Sequence, residues 1–312
     1  MDEILTPKCS LCGKPSIIYI NYSGNNLCKM HFIEFVKDRV IKNIKEQIEL
    51  KPNIKIAIAV SGGKDSMGML KLMSDVLPPI PGLKLIAVTV DEGIEGYRNL
   101  SIPKVKKLAD SLGIEHKVIS FKEMGLLSMD EVSKKNIEQT PCAFCGVWRR
   151  KGMNLLSKKV EADYIAVGMN LDDIAQSILM NYTKGDLGRM ARLGPHNRKQ
   201  KGLVPRVLPI VNIPEKEMYI YSLITGIDFY RSSCPYSNRA MRNIYRDIVN
   251  MLEDKMPGTR HAILNTHKQL LPLIQAEYPL ESLNKCIYCG EPTTKTICKS
   301  CELNLKLKFI KQ

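Results

Sequence analysis

Between Ile54 and Val60 the chain runs Ile-Lys-Ile-Ala-Ile-Ala-Val, a nearly unbroken apolar stretch that predicts a buried strand. Met67 to Leu77 follows with apolar positions at helical spacing, and Leu83-Lys-Leu-Ile-Ala-Val-Thr-Val90 predicts a second strand ending in Asp91-Glu92-Gly93. The alternation continues with a helix around Ile102 to Leu112, a strand at His116 to Phe121, a helix after Cys145 and a strand at Tyr164 to Gly168. Such alternation predicts an α/β fold, a parallel sheet covered on both faces. Ligands of such sheets bind beyond the carboxyl ends of the strands, so Ala59, Ser61 to Ser66, Val88 to Val90 and Gly168 are expected to converge on one crevice. Two further helical stripes, Ile33, Val36, Val40, Ile44, Ile48 and Met241, Ile244, Tyr245, Ile248, Leu252, read as core packing. The second directly follows Cys234 and is expected to fix it.

Composition changes this picture in two ways. Among 312 residues, 46 Lys and Arg face 32 Asp and Glu, a net charge of +14 that favours a polyanionic partner such as nucleic acid. With 25% charged and 44% hydrophobic residues the chain is ordinary globular material, which excludes a disordered tail-binder. Its apolar stretches are too short to cross a bilayer, and Met-Asp-Glu-Ile at the start is acidic where a secretory signal would be basic, so a cytoplasmic address and no membrane partner are expected.

The second change comes from ten cysteines, which in a reducing compartment point to metal or redox chemistry rather than disulfides. Cys9-Ser-Leu-Cys12 and Cys28-Lys-Met-His31 supply four soft ligands near the N-terminus, and Cys286-Ile-Tyr-Cys289 with Cys298-Lys-Ser-Cys301 repeat the arrangement near the C-terminus. Gly13 and Gly290 each follow a second cysteine, where a tight chelating turn needs glycine. Two structural Zn2+ sites are expected. Cys142, Cys145 and Cys234 remain, an awkward number for a closed zinc site. They read as an iron-sulfur cluster with one open iron, as a redox pair with a third catalytic thiol, or as buried structural cysteines.

Between the first strand and its helix stands Ser61-Gly-Gly-Lys-Asp-Ser66. Glycines at a strand-to-helix turn free backbone N–H groups for phosphate oxygens, the helix start adds positive potential, and Lys64 adds a full charge. Asp65 is suited to hold magnesium or to orient the loop. The spacing is neither that of a Walker loop nor of a dinucleotide fingerprint. Asp172 and Asp173 open the helix after the last strand, where a carboxylate caps the helix, coordinates magnesium or handles a proton. Two basic regions suit RNA: Arg149-Arg150-Lys151, with Lys151 the choice for a catalytic or phosphate-contacting lysine, and a basic loop from Lys184 to Arg206 that includes Arg189, Arg192, Arg198, Lys199 and Lys201.

The hexapeptide resembles the PP-loop of the ATP pyrophosphatases, which implies ATP cleaved between its α and β phosphates, with Mg2+, through an adenylated intermediate. Combined with Pro-Cys-x-x-Cys, the remote Cys234, Gly168-Met-Asn-Leu-Asp-Asp173 and paired Cys-x-x-Cys/His modules at both ends, the chain resembles the tRNA 2-thiouridine synthetases over essentially its whole length. That resemblance implies an adenine nucleotide alpha-hydrolase-like core over 53–279, a zinc module over 1–31, a connecting helix over 32–52 and a zinc ribbon over 280–312. It implies tRNA as substrate and an active-site role for Asp173. It favours a 4Fe-4S cluster on Cys142, Cys145 and Cys234, sulfur from a ubiquitin-like carrier or inorganic sulfide, and is compatible with a homodimer. The rivals are a 2-thiocytidine synthetase, a cluster-free persulfide thiolase, an ammonia-using synthetase and a non-catalytic nucleotide-sensing RNA-binding zinc protein. The target uridine, wobble or T-loop, is left open.

Overall fold

The computed structural model describes residues 7–77, 79–135, 139–195, 200–237 and 242–309. Arg198, Lys199 and Met241, named above, lie outside the described residues. The chain opens on an antiparallel hairpin, β1 (Ile18–Ile20) and β2 (Asn25–Leu27), in which Ile18 pairs with Leu27. It runs straight into α1 (Lys29–Gln47), whose stripe Val36, Val40 and Ile44 is fully buried together with Phe32.

The central sheet follows. Its strands are β3 (Lys55–Ala59), β4 (Lys84–Asp91), β5 (Glu115–Ser120), β6 (Tyr164–Val167) and the short β7 (Arg206–Val207), joined by parallel pairings in the order β5-β4-β3-β6-β7. Ile56, Ala57 and Ile58 of β3 have no exposed surface, as its central place in the sheet requires. One face carries α2 (Lys64–Val76), which packs on α1 and on α8 (Glu215–Ile224). α3 (Arg98–Ser111) lies over the β4 and β5 side. After the short capped α4 (Met129–Ser133), α5 (Pro141–Lys159) lies on the other face against β4, β5 and β6, burying Leu156 over Ile86, Val88 and Ile165.

α6 (Leu171–Thr183) and the short α7 (Leu187–Ala191) precede β7, and α9 (Arg242–Lys255) and α10 (Thr259–Glu277) pack on α6. Part of the expected basic loop is therefore helical: α7 forms because Asp186 accepts the Arg189 N–H at 2.9 Å. The α9 stripe also departs from expectation. Val249 is buried, yet Ile244 is 62% exposed, because neighbouring elements cover only one edge of the helix. The chain ends in a second small hairpin, β8 (Asn284–Lys285) and β9 (Pro292–Thr293), and α11 (Lys299–Phe309). Among the described residues no helix is long and apolar enough to cross a membrane.

Strand order places β3, β4 and β5 to one side and β6, β7 to the other, so the chain changes direction between β3 and β6. A crevice opens at that switch point, beyond the carboxyl ends of the strands.

Candidate active site

Ser61 to Gly63 leave β3 and turn into α2 at Lys64. Gly62 holds φ +87°, and a Cβ there would come within 2.8 Å of the Ser101 Cβ, so glycine is required twice over. Ser66 closes the loop, accepting the Ser61 N–H at 3.0 Å and donating to the Gly63 carbonyl at 3.0 Å. Gly168, just past β6, lies against the same turn: a Cβ would sit 3.3 Å from the Ser66 Cα. Loop and strand end thus form the floor of a cavity of about 210 Å³, open to solvent and lined by Ala59, Ser61, Ser66, Val88, Arg98, Arg149 and Gly168 among others. Lys151, two residues beyond Arg149, is not part of this lining.

Charges gather at one end of the loop. Lys64 Nζ donates to Asp65 Oδ2 at 2.9 Å and to Glu215 Oε1 at 2.6 Å. Burial works against the Lys64 ammonium, yet Asp65 and Glu215 raise it above its ordinary value. Burial raises the Asp65 carboxyl, against the pull of Lys64, and raises Asp173, against the pull of Arg242 at 3.2 Å. Among the described residues Asp65 Oδ1 is buried without a hydrogen-bond partner, with two further carboxylates, Asp173 and Glu215, in its field. An orphaned carboxylate oxygen in such a group fits a hard divalent cation. Asp172 takes no part: it accepts the Glu215 N–H at 2.7 Å and pairs with Arg260 at 2.7 Å, while Asn170 caps α6 by accepting the Asp173 N–H at 2.9 Å. The cap falls on Asn170 because it is the extended residue immediately before the first helical one.

The cysteine trio adjoins the other end. α5 begins at Pro141, not after Cys145, because proline is favoured at the first helical position. Cys142 and Cys145 therefore share one face of its first turn. The Cys142 thiol donates to the Tyr236 carbonyl at 3.5 Å, and Cys145 and Cys234 join the same apolar group, with Tyr97 and Tyr236. Burial pushes the Cys145 thiol up to about 12, with Arg149 opposing, and burial raises Cys234 too. Among the described residues only two groups bring three or more ligand atoms within 4.8 Å of one another, and the trio is not one of them. Cys234 lies in the field of both Cys142 and Cys145, and three thiolate donors from two segments suit an iron-sulfur cluster.

Residues that sequence reasoning passed over connect loop and trio. Arg98, buried, donates to the Ser61 carbonyl at 2.5 Å and is doubly bonded to the buried Glu92 carboxylate, which also lies 3.9 Å from Arg149. The field of Arg98 reaches Cys145 and Cys234. The Tyr230 N–H, four residues before Cys234, donates to the Gly62 carbonyl at 2.8 Å. In the sequence Glu92 and Arg98 stand only as an acid and an arginine six residues apart past β4, with nothing local to mark them as a pair.

The two groups that do gather tightly are the terminal quartets. In the first, His31 Nδ1 lies 3.3 Å from Cys9 Sγ and 3.5 Å from Cys28 Sγ, and Cys12 Sγ lies 3.8 Å from Cys28 Sγ. In the second, Cys289 and Cys298 Sγ are 3.6 Å apart, and backbone N–H groups of Cys298 and Cys301 donate to Cys286 and Cys298 Sγ at 3.3 and 3.4 Å. Both donor sets suit a tetrahedral zinc ion.

A second cavity, about 190 Å³, shares Met153 and Val167 with the first and is lined by Arg150 and Arg206. Desolvation lowers Arg150, helped by Arg149 and Arg189, and desolvation lowers Arg206 to about 10, helped by Arg150. Four arginines thus lie close enough to repel one another beside the crevice.

Several known proteins resemble this chain in sequence and in fold. Residues 36–252 match the family described as PP-loop domain, and residues 8–33 match the N-terminal LIM domain of the 2-thiouridine synthetase TtuA. A probable sulfurtransferase of Methanocaldococcus jannaschii is 37% identical over 97% of this chain and 89% of its own length. The tRNA 2-thiolation protein NcsA of Haloferax volcanii is 34% identical over 95% of this chain and 98% of its own. The solved structure of the U34-tRNA thiolase NcsA from Methanococcus maripaludis, with its 4Fe-4S cluster, matches 99% of both chains at 38% identity and a TM-score of 0.84. By sequence and by fold, the chain belongs to the tRNA thiouridine synthetase family of PP-loop proteins.

Proposed function

We propose that the protein uses ATP to adenylate the C2 carbonyl oxygen of a tRNA uridine and replaces that oxygen with sulfur, yielding 2-thiouridine, AMP and pyrophosphate. The observation that carries this reading is the proximity of PP-loop and cysteine trio: Arg98 donates to the Ser61 carbonyl and lies in the field of Cys145 and Cys234, and the Tyr230 N–H, four residues before Cys234, donates to the Gly62 carbonyl. A binding protein would need neither the loop nor the trio. The wobble uridine is the target we favour, because the solved relative matching 99% of both chains is a U34-tRNA thiolase.

In this reading the loop amides and Lys64 hold the departing pyrophosphate, where charge develops as the Pα–O bond breaks, and Asp65 would hold a magnesium ion to share that charge. Ala59, Val88 and Gly168 hold the nucleoside, and Asp173 stands beside the reacting phosphate. Arg149 is better placed than Lys151 to steady the adenylated intermediate, since it lines the crevice. Sulfide then adds to C2 and AMP departs with the former carbonyl oxygen. A 4Fe-4S cluster on Cys142, Cys145 and Cys234, when bound, supplies one open iron that can carry the sulfide. The sulfide arrives free or from a ubiquitin-like carrier. The arginines along the second cavity receive the tRNA backbone, and each terminal quartet would hold a zinc ion that ties down its hairpin. The unpaired thiols suit the reducing cytoplasm.

Full-length protein prepared without oxygen tests this reading. With ATP, magnesium and unmodified tRNA it is expected to form AMP and pyrophosphate in equal amounts, and only when tRNA is present. Lys64→Ala is expected to slow that step by about 100-fold or more. Release of ADP and phosphate, or an unimpaired Lys64→Ala variant, overturns the assignment of the loop.

A further inference from the structure

The turn that carries Cys142 and Cys145 is held from behind by the C-terminal quartet. Cys298 and Cys301 stand at the start of α11, so the residues suited to zinc also anchor that helix. α11 packs on α5, and Leu303 and Leu307, each 1% exposed, join the apolar group of Phe144 and Trp148. Phe144 lies between the paired cysteines, and Trp148 is three residues past Cys145. The Trp148 indole N–H points to the carbonyl of Ser300, between Cys298 and Cys301, at 3.4 Å.

Farther along α5, Asn154 and Lys158 donate to the Glu291 carboxylate at 3.2 and 2.8 Å. Glu291 follows Cys289 by two residues, and its carbonyl accepts the Cys286 N–H at 2.9 Å. The quartet thus reaches α5 over most of the helix. Thr140 at the N-cap of α5 makes no side-chain capping bond, so the first turn is held by packing, by Met129, Val132 and Phe121 as well as by α11. The N-terminal quartet is chemically alike but joins α1, which packs on α2 and α8.

We propose that the C-terminal metal quartet is a positioning device for the cysteine trio: through α11, Trp148 and Glu291 it fixes the first turn of α5 so that Cys142 and Cys145 face Cys234. The proposal rests on the reading that the trio holds a cluster. Ligands contributed by two separate segments keep a cluster only while both segments are fixed, and supporting contacts outside the ligand set govern its retention.

Three variants of the full chain, prepared without oxygen, separate the possibilities: Cys298→Ser, the double substitution Leu303→Ala with Leu307→Ala, and Cys12→Ser. Zinc and iron per chain, the rate at which visible absorption bleaches under an iron chelator, and amide exchange over residues 141–152 are measured. Cys298→Ser and the double leucine variant are expected to bleach roughly tenfold faster than wild type and to exchange faster over 141–152. The leucine variant is expected to do so with both zinc ions retained. Cys12→Ser is expected to lose one zinc and to match wild type in bleaching and in α5 exchange. Unchanged bleaching and exchange in the two C-terminal variants, or an equal effect of Cys12→Ser, overturns the proposal. Iron-free wild-type protein overturns the cluster reading instead, and exchange over 141–152 alone then decides whether the quartet fixes α5.

Discussion

Glu92 is 1% exposed, and its carboxylate is tied to the Arg98 guanidinium, which in turn holds the Ser61 carbonyl. Removing one partner of a buried pair strands the other charge in a medium that solvates it poorly. Glu92→Ala is therefore expected to cost about 3–5 kcal/mol in urea unfolding, far more than loss of a surface pair. A cost under about 1 kcal/mol contradicts the burial argument. At this scale Ser61 to Ser66 was legible in the sequence because all of its chemistry is local to six residues. Glu92 and Arg98 were not, because their meaning depends on the β3 and β4 ends lying side by side. Between Asn170, Asp172 and Asp173 the sequence offered three adjacent polar groups. Only backbone geometry decides that Asn170 caps the helix, that Asp172 ties it to Glu215 and Arg260, and that Asp173 faces the loop.

Helices and strands were legible in kind, and less so at their ends. The strands of the sheet announce themselves by apolar runs, but the start of α5 turned on whether Pro141 ends a loop or opens a helix, and only the second puts Cys142 and Cys145 on one face. The apolar stripe of α9 was equally readable, yet periodicity does not say which neighbours exist, and Ile244 remains exposed. β5 and α10 carry three of the five histidines, and each is shifted the same way: burial lowers His116, His261 and His267 below the ordinary value. An unfolded chain binds more protons at these positions once pH falls through about 6.5, so stability present above that pH is lost on acidification toward the lower folded values. The urea midpoint is expected to be lower at pH 5.5 than at pH 7.5. Replacing all three with Gln is expected to flatten that dependence. A wild-type midpoint that rises on acidification contradicts the sign.

For the whole molecule, the +14 charge first indicated any polyanion, and the fold concentrates part of it as Arg149, Arg150, Arg189 and Arg206 beside the crevice. If these cations meet the tRNA backbone, log affinity should fall linearly with log salt, and Arg150→Ala should reduce the slope by roughly one. An unchanged slope removes Arg150 from the interface. The convergence of loop, carboxylates and cysteines from three parts of the chain lay beyond any local pattern. Strand order produces it, by placing the ends of β3 and β6 side by side. Whether this crevice exchanges oxygen for sulfur is decided by nucleoside mass spectrometry of unmodified tRNA after incubation with iron-loaded protein, ATP, magnesium and sulfide. The expected result is 2-thiouridine at one tRNA position, with one AMP formed per sulfur incorporated and no thiolation by Cys142→Ala. Iron-loaded protein that cleaves ATP yet leaves every uridine unchanged, or that thiolates cytidine instead, contradicts it.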